Sequence, residues 1–157
     1  MGTKNRLFYI MIAVILLFMT ACDFYSQYPT GKDTVESFCK GKFQIVGRNP
    51  SGLYFKGEGS PLISCVDCTY ETNNRIYILG HERHKDHILI YGVIDAKQNK
   101  IQILFTDEVY LSDRFLESDS ISFCNDFSDF LEEDQKIFTA MEAGKIGDRS
   151  LQSESDS

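Results

Sequence analysis

The chain has 157 residues, a hydrophobic fraction of 43% and a formal net charge of −7. This length and apolar content are typical of one globular domain with a single hydrophobic core. The excess of acidic side chains argues against nucleic acid and anionic lipid headgroups as partners, because both would repel the chain.

The first 21 residues have the three parts of an export signal. Lys4 and Arg6 precede an apolar stretch from Leu7 to Met19, and small residues follow it directly before Cys22. This apolar stretch is shorter than the roughly 20 residues that a permanent membrane-spanning helix needs. We therefore interpret residues 1–21 as a signal peptide whose basic end stays in the cytoplasm.

The segment Met19-Thr20-Ala21-Cys22 resembles the cleavage box of bacterial lipoprotein signal peptides, in which an obligatory cysteine follows two small residues. The resemblance covers only residues 1–23. It implies cleavage after Ala21 and acyl chains on Cys22, including palmitate-type chains, and no other cofactor. Two or more chains form a durable membrane anchor. An uncleaved signal anchor with unmodified Cys22 is the alternative, and it also places the domain outside the cytoplasm.

In enterobacterial lipoproteins, an aspartate directly after the lipidated cysteine retains the protein at the inner membrane, and Asp23 has this position. The resemblance thus implies a place in the cell envelope, on the periplasmic side of the inner membrane if the cell is Gram-negative. Cleavage would leave 136 of the 157 residues, with 14 of the 16 basic side chains against all 23 acidic ones.

A lipid on Cys22 leaves an even number of cysteines, which suits two disulfide bonds in an oxidising compartment. Three connectivities are possible. We favour Cys39–Cys124 with Cys65–Cys68, because closing the long loop is worth roughly 4–5 kcal/mol by the chain-entropy argument. A crossed pairing that joins the Cys65/Cys68 pair to the other two cysteines remains open.

Residues 22–32 are predicted as a lipidated tether and residues 33–146 as a single globular domain. A short N-terminal helix is predicted first, because Asp33 and Glu36 have capping-box spacing and Gly41 supplies a stop. Short β-rich runs separated by turn residues then predict strands at 42–46, 53–56, 63–66, 75–79, 87–94 and 101–105.

The clearest hairpin spans residues 87–105, with a polar turn at 96–100. Ile101, Ile103 and Phe105 alternate and should share one face of their strand. Residues 88–91 are apolar at both odd and even positions, so both faces of this strand are apolar. This pattern predicts a central strand covered on both sides.

A long helix over residues 126–143 is predicted to cover the second face of the sheet. Its apolar residues have helical spacing, its acidic residues crowd the first half, and Gly144 ends it. Residues 147–157 are predicted to be a disordered acidic tail. The predicted fold class is α+β, a small antiparallel sheet packed by one long C-terminal helix and one short N-terminal helix, disulfide-stapled.

All three histidines lie within seven residues, as His81, His84 and His87. With Cys65 and Cys68 they spell C-x₂-C-x₁₂-H-x₂-H, close to a Cys₂His₂ zinc spacing. The second spacing is too short, however, and the run at 75–79 has a strand pattern where a zinc finger has its helix. Metal held by the histidines alone is another interpretation. A solvated polar loop is the one we favour.

Enzymatic motifs are missing from the sequence. No helix pattern follows Cys65-Val66-Asp67-Cys68 to activate a redox thiolate, and no G-x-S-x-G elbow presents a nucleophile. We therefore expect no enzymatic activity.

Ten carboxylates and one basic residue lie between Thr106 and Asp134. Such a run is usually a solvated face, but it is also suited to docking a basic protein. The leading hypothesis is a non-enzymatic, membrane-anchored envelope lipoprotein that binds a protein, of inhibitor or immunity type, through Glu132, Glu133 and Asp134. The alternative is a small-ligand or metal-binding envelope lipoprotein that uses the His81–His87 loop.

Overall fold

The computed structural model describes residues 33–47, 50–107 and 118–148, and this part of the chain is mostly β-structure. It contains eight strands in two sheets and one α-helix. The strands are β1 (Thr34–Phe38), β2 (Phe43–Val46), β3 (Gly52–Phe55), β4 (Cys65–Glu71), β5 (Arg75–Glu82), β6 (Lys85–Asp95), β7 (Lys100–Phe105) and β8 (Ile121–Cys124). The helix α1 is Glu132–Glu142, and 3-10 turns lie at Cys39–Gly41 and Phe127–Asp129.

The first sheet has the order β1-β2-β3 and the second β4-β5-β6-β7-β8. All neighbouring strands are antiparallel except β7 and β8, which run parallel. The two sheets meet where Leu53 of β3 pairs with Ile63, just before β4. The predicted small antiparallel sheet is therefore wrong, because the molecule has two sheets and one parallel pair.

Two hydrophobic cores cover the two faces of the five-stranded sheet. The first lies between the sheets and contains Phe43, Ile45, Ile78, Ile90 and Ile103 among others. The second lies between the five-stranded sheet and α1, where the fully buried Phe138 and Met141 meet Tyr77 and Tyr91. The second face is thus covered by the C-terminal helix as predicted, and β6 is the central strand buried on both sides, as its double-sided apolar pattern predicted.

The predicted hairpin is confirmed as β6 and β7, which pair from Ile90 and Phe105 to Asp95 and Lys100. The Asp95 carboxylate closes the turn by accepting from the backbone N–H groups of Lys97 and Gln98, each at 2.9 Å. Ile101 and Ile103 are fully buried in the first core and Phe105 packs against it, so their shared face is confirmed.

The predicted short N-terminal helix is wrong. Residues Thr34–Phe38 form the edge strand β1, paired with β2, and alternate between half-buried and exposed. The capping-box spacing of Asp33 and Glu36 was misleading, because pairing with β2 gives the backbone a longer-range set of hydrogen bonds. Only the 3-10 turn at Cys39–Gly41 follows, with positive φ at all three residues.

The C-terminal helix is shorter than predicted. Asp126 and Asp129 form a capping box around the 3-10 turn Phe127–Asp129, and the chain is extended at Phe130 and Leu131 before α1 begins. This break lets Phe130 enter the second core while Leu131 points outward. The prediction of one long and one short helix is thus replaced by a single 11-residue α-helix.

The predicted disulfide bonds are absent, since all four cysteines of the described residues carry free thiols. Cys39 packs on the first core and Cys124 lies in the second, so the five-stranded sheet separates them. Cys65 and Cys68 lie on one extended strand. Three residues of strand, at about 3.3 Å each, exceed the Cα separation of roughly 5.5–6 Å that is usual for a disulfide.

The C-terminal end of the described chain returns to the sheet. Asp148 forms an isolated antiparallel bridge with Thr69 of β4, while residues 149–157 of the predicted tail lie outside the described residues.

In residues 33–47, 50–107 and 118–148, no helix has the length and apolar character needed to cross a membrane.

Candidate functional site

The first turn of α1 presents two of the three predicted partner-binding residues to solvent. Glu132 and Glu133 are exposed, whereas Asp134 is fully buried. Asp134 precedes the buried Phe138 and Met141 by four and seven residues, and positions with this spacing share one face of a helix. Asp134 therefore faces the sheet and cannot contact a partner.

Asp134 is the centre of a buried polar network between α1 and β5. The Arg75 guanidinium donates from Nη1 to Asp134 Oδ2, and the Tyr77 hydroxyl donates to Asp134 Oδ1 over 2.9 Å. Burial, together with this hydrogen bond, raises the pKa of Tyr77 to about 12. The network fixes the first turn of α1 against the sheet and thereby sets the position of the two exposed glutamates.

The carboxylates of Asp126 and Asp129 shape the chain that enters α1. Asp126 accepts from the Ser128 N–H at 2.8 Å, and this hydrogen bond lowers the pKa of the Asp126 carboxyl. Asp129 accepts from the backbone N–H groups of Asn125 at 2.7 Å and Asp126 at 3.1 Å. Part of the acidic run therefore serves the local backbone, although both side chains remain exposed.

Leu131 lies in the middle of these acidic residues and is 52% exposed. It lines a groove of about 260 Å³ whose lining includes the apolar Val93 and carries charges of both signs, from Asp95, Asp129, Arg75 and Lys100. Within the described residues, only two large apolar side chains are exposed, Leu131 and Val35. We define the acidic patch as Asp126, Asp129, Leu131, Glu132 and Glu133.

Within the described residues, the acidic patch contains one ion pair, between Glu132 and Lys136 at 4.0 Å on the exposed surface of α1. An exposed pair at this separation contributes little to stability and leaves the carboxylates accessible. The patch thus combines an apolar side chain with a rim of accessible negative charge. Three other acidic residues of the predicted run, Glu108, Asp113 and Glu117, lie outside the described residues.

The histidine segment forms the end of the β5–β6 hairpin, where it links two paired strands. His81 is the residue before the last one of β5, His84 occupies the turn with φ +66°, and His87 lies early in β6. His81 Nδ1 lies 2.9 Å from Asp67 Oδ2, and nearby the Ser64 hydroxyl donates to both oxygens of Glu82, at 3.0 and 3.1 Å. These contacts join β4 to the end of β5.

The four residues of the zinc-like C-x₂-C-x₁₂-H-x₂-H spacing do not converge. Cys65 lies opposite His81 in the β4–β5 ladder, but Cys68 is buried in the second core and His84 is at the exposed turn. No group of three or more histidine, cysteine or acidic side chains in the described ranges is arranged to hold a metal ion.

The thiols in this region are not activated as nucleophiles. Burial raises the pKa of the Cys65 thiol, and the negative charge of Asp67 raises it further. Burial also raises the pKa of Cys124 to about 11. Both side chains are therefore protonated thiols at neutral pH, whereas a reactive cysteine is a thiolate.

Comparison of the chain with family models, curated proteins and solved structures gave no match. Cys22 and Ala21, the predicted lipidation and cleavage residues, lie outside the described residues.

Sequence reasoning missed two features of this site. The helical spacing of Asp134 with Phe138 and Met141 was visible in the sequence and predicts its burial. Its partners Arg75 and Tyr77 are 59 and 57 residues away and gave no local signal. The exposure of Leu131 depends on the extended residues that precede α1. The sequence did not indicate this break, because apolar residues continue across it at helical spacing.

Proposed function

We propose that the chain is a lipid-anchored bacterial envelope protein that binds a basic partner protein through the acidic patch, without enzymatic activity. The observation that carries this proposal is Leu131, 52% exposed beside a groove and within a rim of exposed carboxylates. Apolar anchors inside a polar rim are the usual composition of protein-binding hot spots. Inhibitor or immunity proteins are the class that this arrangement suits.

Charge supports a basic partner. The mature chain has an excess of nine acidic side chains over basic ones, 23 against 14, so its field attracts cations from solution. Complementary charge raises the association rate and the specificity of a complex more than its affinity. Leu131 would then supply the buried contact that slows dissociation.

Charge reversal at the exposed glutamates should abolish partner capture. We place a photo-crosslinking diazirine analogue of leucine, which keeps the apolar side chain, at position 131 of the full-length protein in cells, and we expect one basic protein as the main crosslinked product, identified by mass spectrometry. The double variant Glu132→Lys/Glu133→Lys should lose this product, because the rim becomes repulsive while the buried Asp134 is untouched.

The matched control reverses two exposed acids elsewhere, as Asp86→Lys/Asp119→Lys, with the same change in net charge. This control should retain the crosslinked product. Equal crosslinking in both double variants would contradict the proposed acidic patch.

The anchor has its own test. Metabolic labelling with a palmitate analogue should label the wild-type protein, because Cys22 would carry the acyl chains. The variant Cys22→Ala should lose the label, because position 22 then has no thiol to acylate. Label that persists in Cys22→Ala would show that the protein is not a lipoprotein of this class.

A further inference from the structure

A cleft on a different part of the molecule lies between the edges of the two sheets. β1 is the outer strand of the first sheet, and β4 is the outer strand of the second. The cleft has a volume of about 530 Å³. Its lining consists of Glu36, Ser37 and Phe38 from β1, Thr69, Tyr70 and Glu71 from β4, and in addition Ile76 and Asp148. We call this the edge cleft.

The outer edge of β4 already accepts a backbone in strand geometry. The Asp148 N–H donates to the Thr69 carbonyl over 2.7 Å, and the Thr69 N–H donates to the Asp148 carbonyl over 3.3 Å. Backbone groups alternate in direction along a strand, so the N–H and C=O of Glu71 point the same way as those of Thr69. Among the described residues no backbone group pairs with Glu71 at this edge, so the bridge to Asp148 leaves the next outward-facing position of β4 open to the cleft.

The side chains at this edge give the cleft its chemistry. Glu71 lies opposite the buried Ile76, whereas Tyr70 packs on the second core, so Glu71 and Thr69 face the first sheet and Glu36. No basic side chain is among the described residues that line the cleft, while three of them are acidic. Burial raises the pKa of Glu36, and the nearby charges of Asp148 and Glu71 raise it further.

We propose that the edge cleft binds an extended, lysine- or arginine-containing segment of a partner protein, which adds as a strand to β4 beyond Asp148. Main-chain hydrogen bonds to an open edge supply affinity, and alternate side chains supply specificity. Because side chains two positions apart share a face of a strand, the segment should carry basic residues at alternate positions, facing Glu36 and Glu71.

The negative charge of the edge cleft favours a basic segment over other occupants. A second copy of the chain that paired edge to edge through β4 would bring its own Glu71 against the acidic lining, which disfavours self-association. Nucleic acid and anionic membrane surfaces are repelled for the same reason. A basic strand instead neutralises the carboxylates as it completes the edge.

This inference does not rest on the acidic patch, since the two surfaces share no residue. The test uses the mature protein in neutral detergent, labelled with ¹⁵N, and the peptide acetyl-Thr-Lys-Val-Lys-Val-Thr-amide as the probe. We expect binding at or below about 1 mM, with chemical-shift changes centred on the amides of Thr69 to Glu71 and on Asp148. A peptide with glutamate in place of lysine should not bind.

Two variants separate the edge cleft from the acidic patch. Glu36→Gln/Glu71→Gln should weaken binding of the lysine peptide roughly tenfold, the change expected when two partly exposed charge pairs are lost. The matched variant Glu132→Gln/Glu133→Gln should bind the peptide as the wild type does. Failure of the crosslinking at position 131 would leave this result unchanged.

Strand addition is distinguished from plain charge attraction by backbone methylation. A lysine peptide methylated at alternate backbone nitrogens keeps its charge but cannot form the ladder hydrogen bonds, and it should lose binding. Equal binding of the methylated peptide, equal binding to the Glu36→Gln/Glu71→Gln variant, or no shifts at β4 would each overturn the proposal.

Discussion

Replacing Asp134 with alanine should lower the free energy of unfolding by about 3 kcal/mol. The substitution leaves the Arg75 guanidinium and the Tyr77 hydroxyl at the interface between α1 and β5 without their shared acceptor. Loss of one partner of a buried ion pair typically costs 3–5 kcal/mol, and the lower end applies here because the Arg75 side chain is 22% exposed. Urea denaturation of the protein without residues 1–21 measures the loss.

The adjacent residue supplies the control. Glu133→Ala removes a carboxylate from an exposed position of the same helical turn and should change stability by no more than about 0.5 kcal/mol. In a folded Asp134→Asn variant, spectrophotometric titration should show a lower pKa for Tyr77, since burial and the Asp134 carboxylate together raise it. A loss below about 1 kcal/mol in Asp134→Ala would contradict the role assigned to the network.

This distinction changes how charge reversal in α1 has to be interpreted. A variant that reverses Glu132, Glu133 and Asp134 together would lose partner binding simply because the first turn of α1 detaches from the sheet. The exposed pair Glu132 and Glu133 tests the acidic patch, whereas Asp134 tests the fold. The sequence has three consecutive acidic residues. The packing shows that Asp134 is structural, whereas Glu132 and Glu133 are candidate contacts.

Strands with β-branched residues in a clear pattern were predictable from the sequence. Residues 88–91 are apolar at both odd and even positions, and their strand β6 is indeed covered by the first core on one face and by α1 on the other. The β6–β7 hairpin was predictable because its turn is short and polar. Local sequence is sufficient where pairing partners are neighbours in the chain.

Pairing between distant segments was not predictable in the same way. β8 is only four residues long and pairs in parallel with β7, so no turn signal joins the two strands. β4 continues through Thr69, Tyr70 and Glu71, beyond the predicted strand end at residue 66, because β5 and Asp148 pair with it from either side. Tertiary contacts here override local propensity.

The cysteines show how one expected modification affects other inferences. Lipidation of Cys22 would leave an even number of cysteines, and this number, with an oxidising compartment, predicted two disulfides. The described thiols instead lie in separate cores or along one strand. Cysteine is frequently buried as a small apolar residue, and Cys68 and Cys124 have that role in the second core. An even cysteine count therefore does not establish pairing.

Gly80→Ala should be at least as destabilising as Asp134→Ala, with a loss of about 3 kcal/mol or more. A Cβ atom at this position of β5 would overlap the carbonyl oxygen of Cys65 and lie 2.6 Å from Ile63 Cγ2. The chain that leads from β3 into β4 crosses the five-stranded sheet at this point, so the clash would separate the two sheets. Urea denaturation, or the soluble yield if the variant does not fold, measures the effect.

Gly92→Ala is the matched control on the neighbouring strand. Its Cβ would lie 3.2 Å from Ile63 Cδ1, the movable end of a side chain, so the variant should stay within about 1 kcal/mol of the wild type. Ile63→Ala in the Gly80→Ala background should not restore stability, because the overlap with the Cys65 backbone remains. Equal stability of the two glycine variants, or rescue by Ile63→Ala, would show that the crossing chain is free to move away from Gly80.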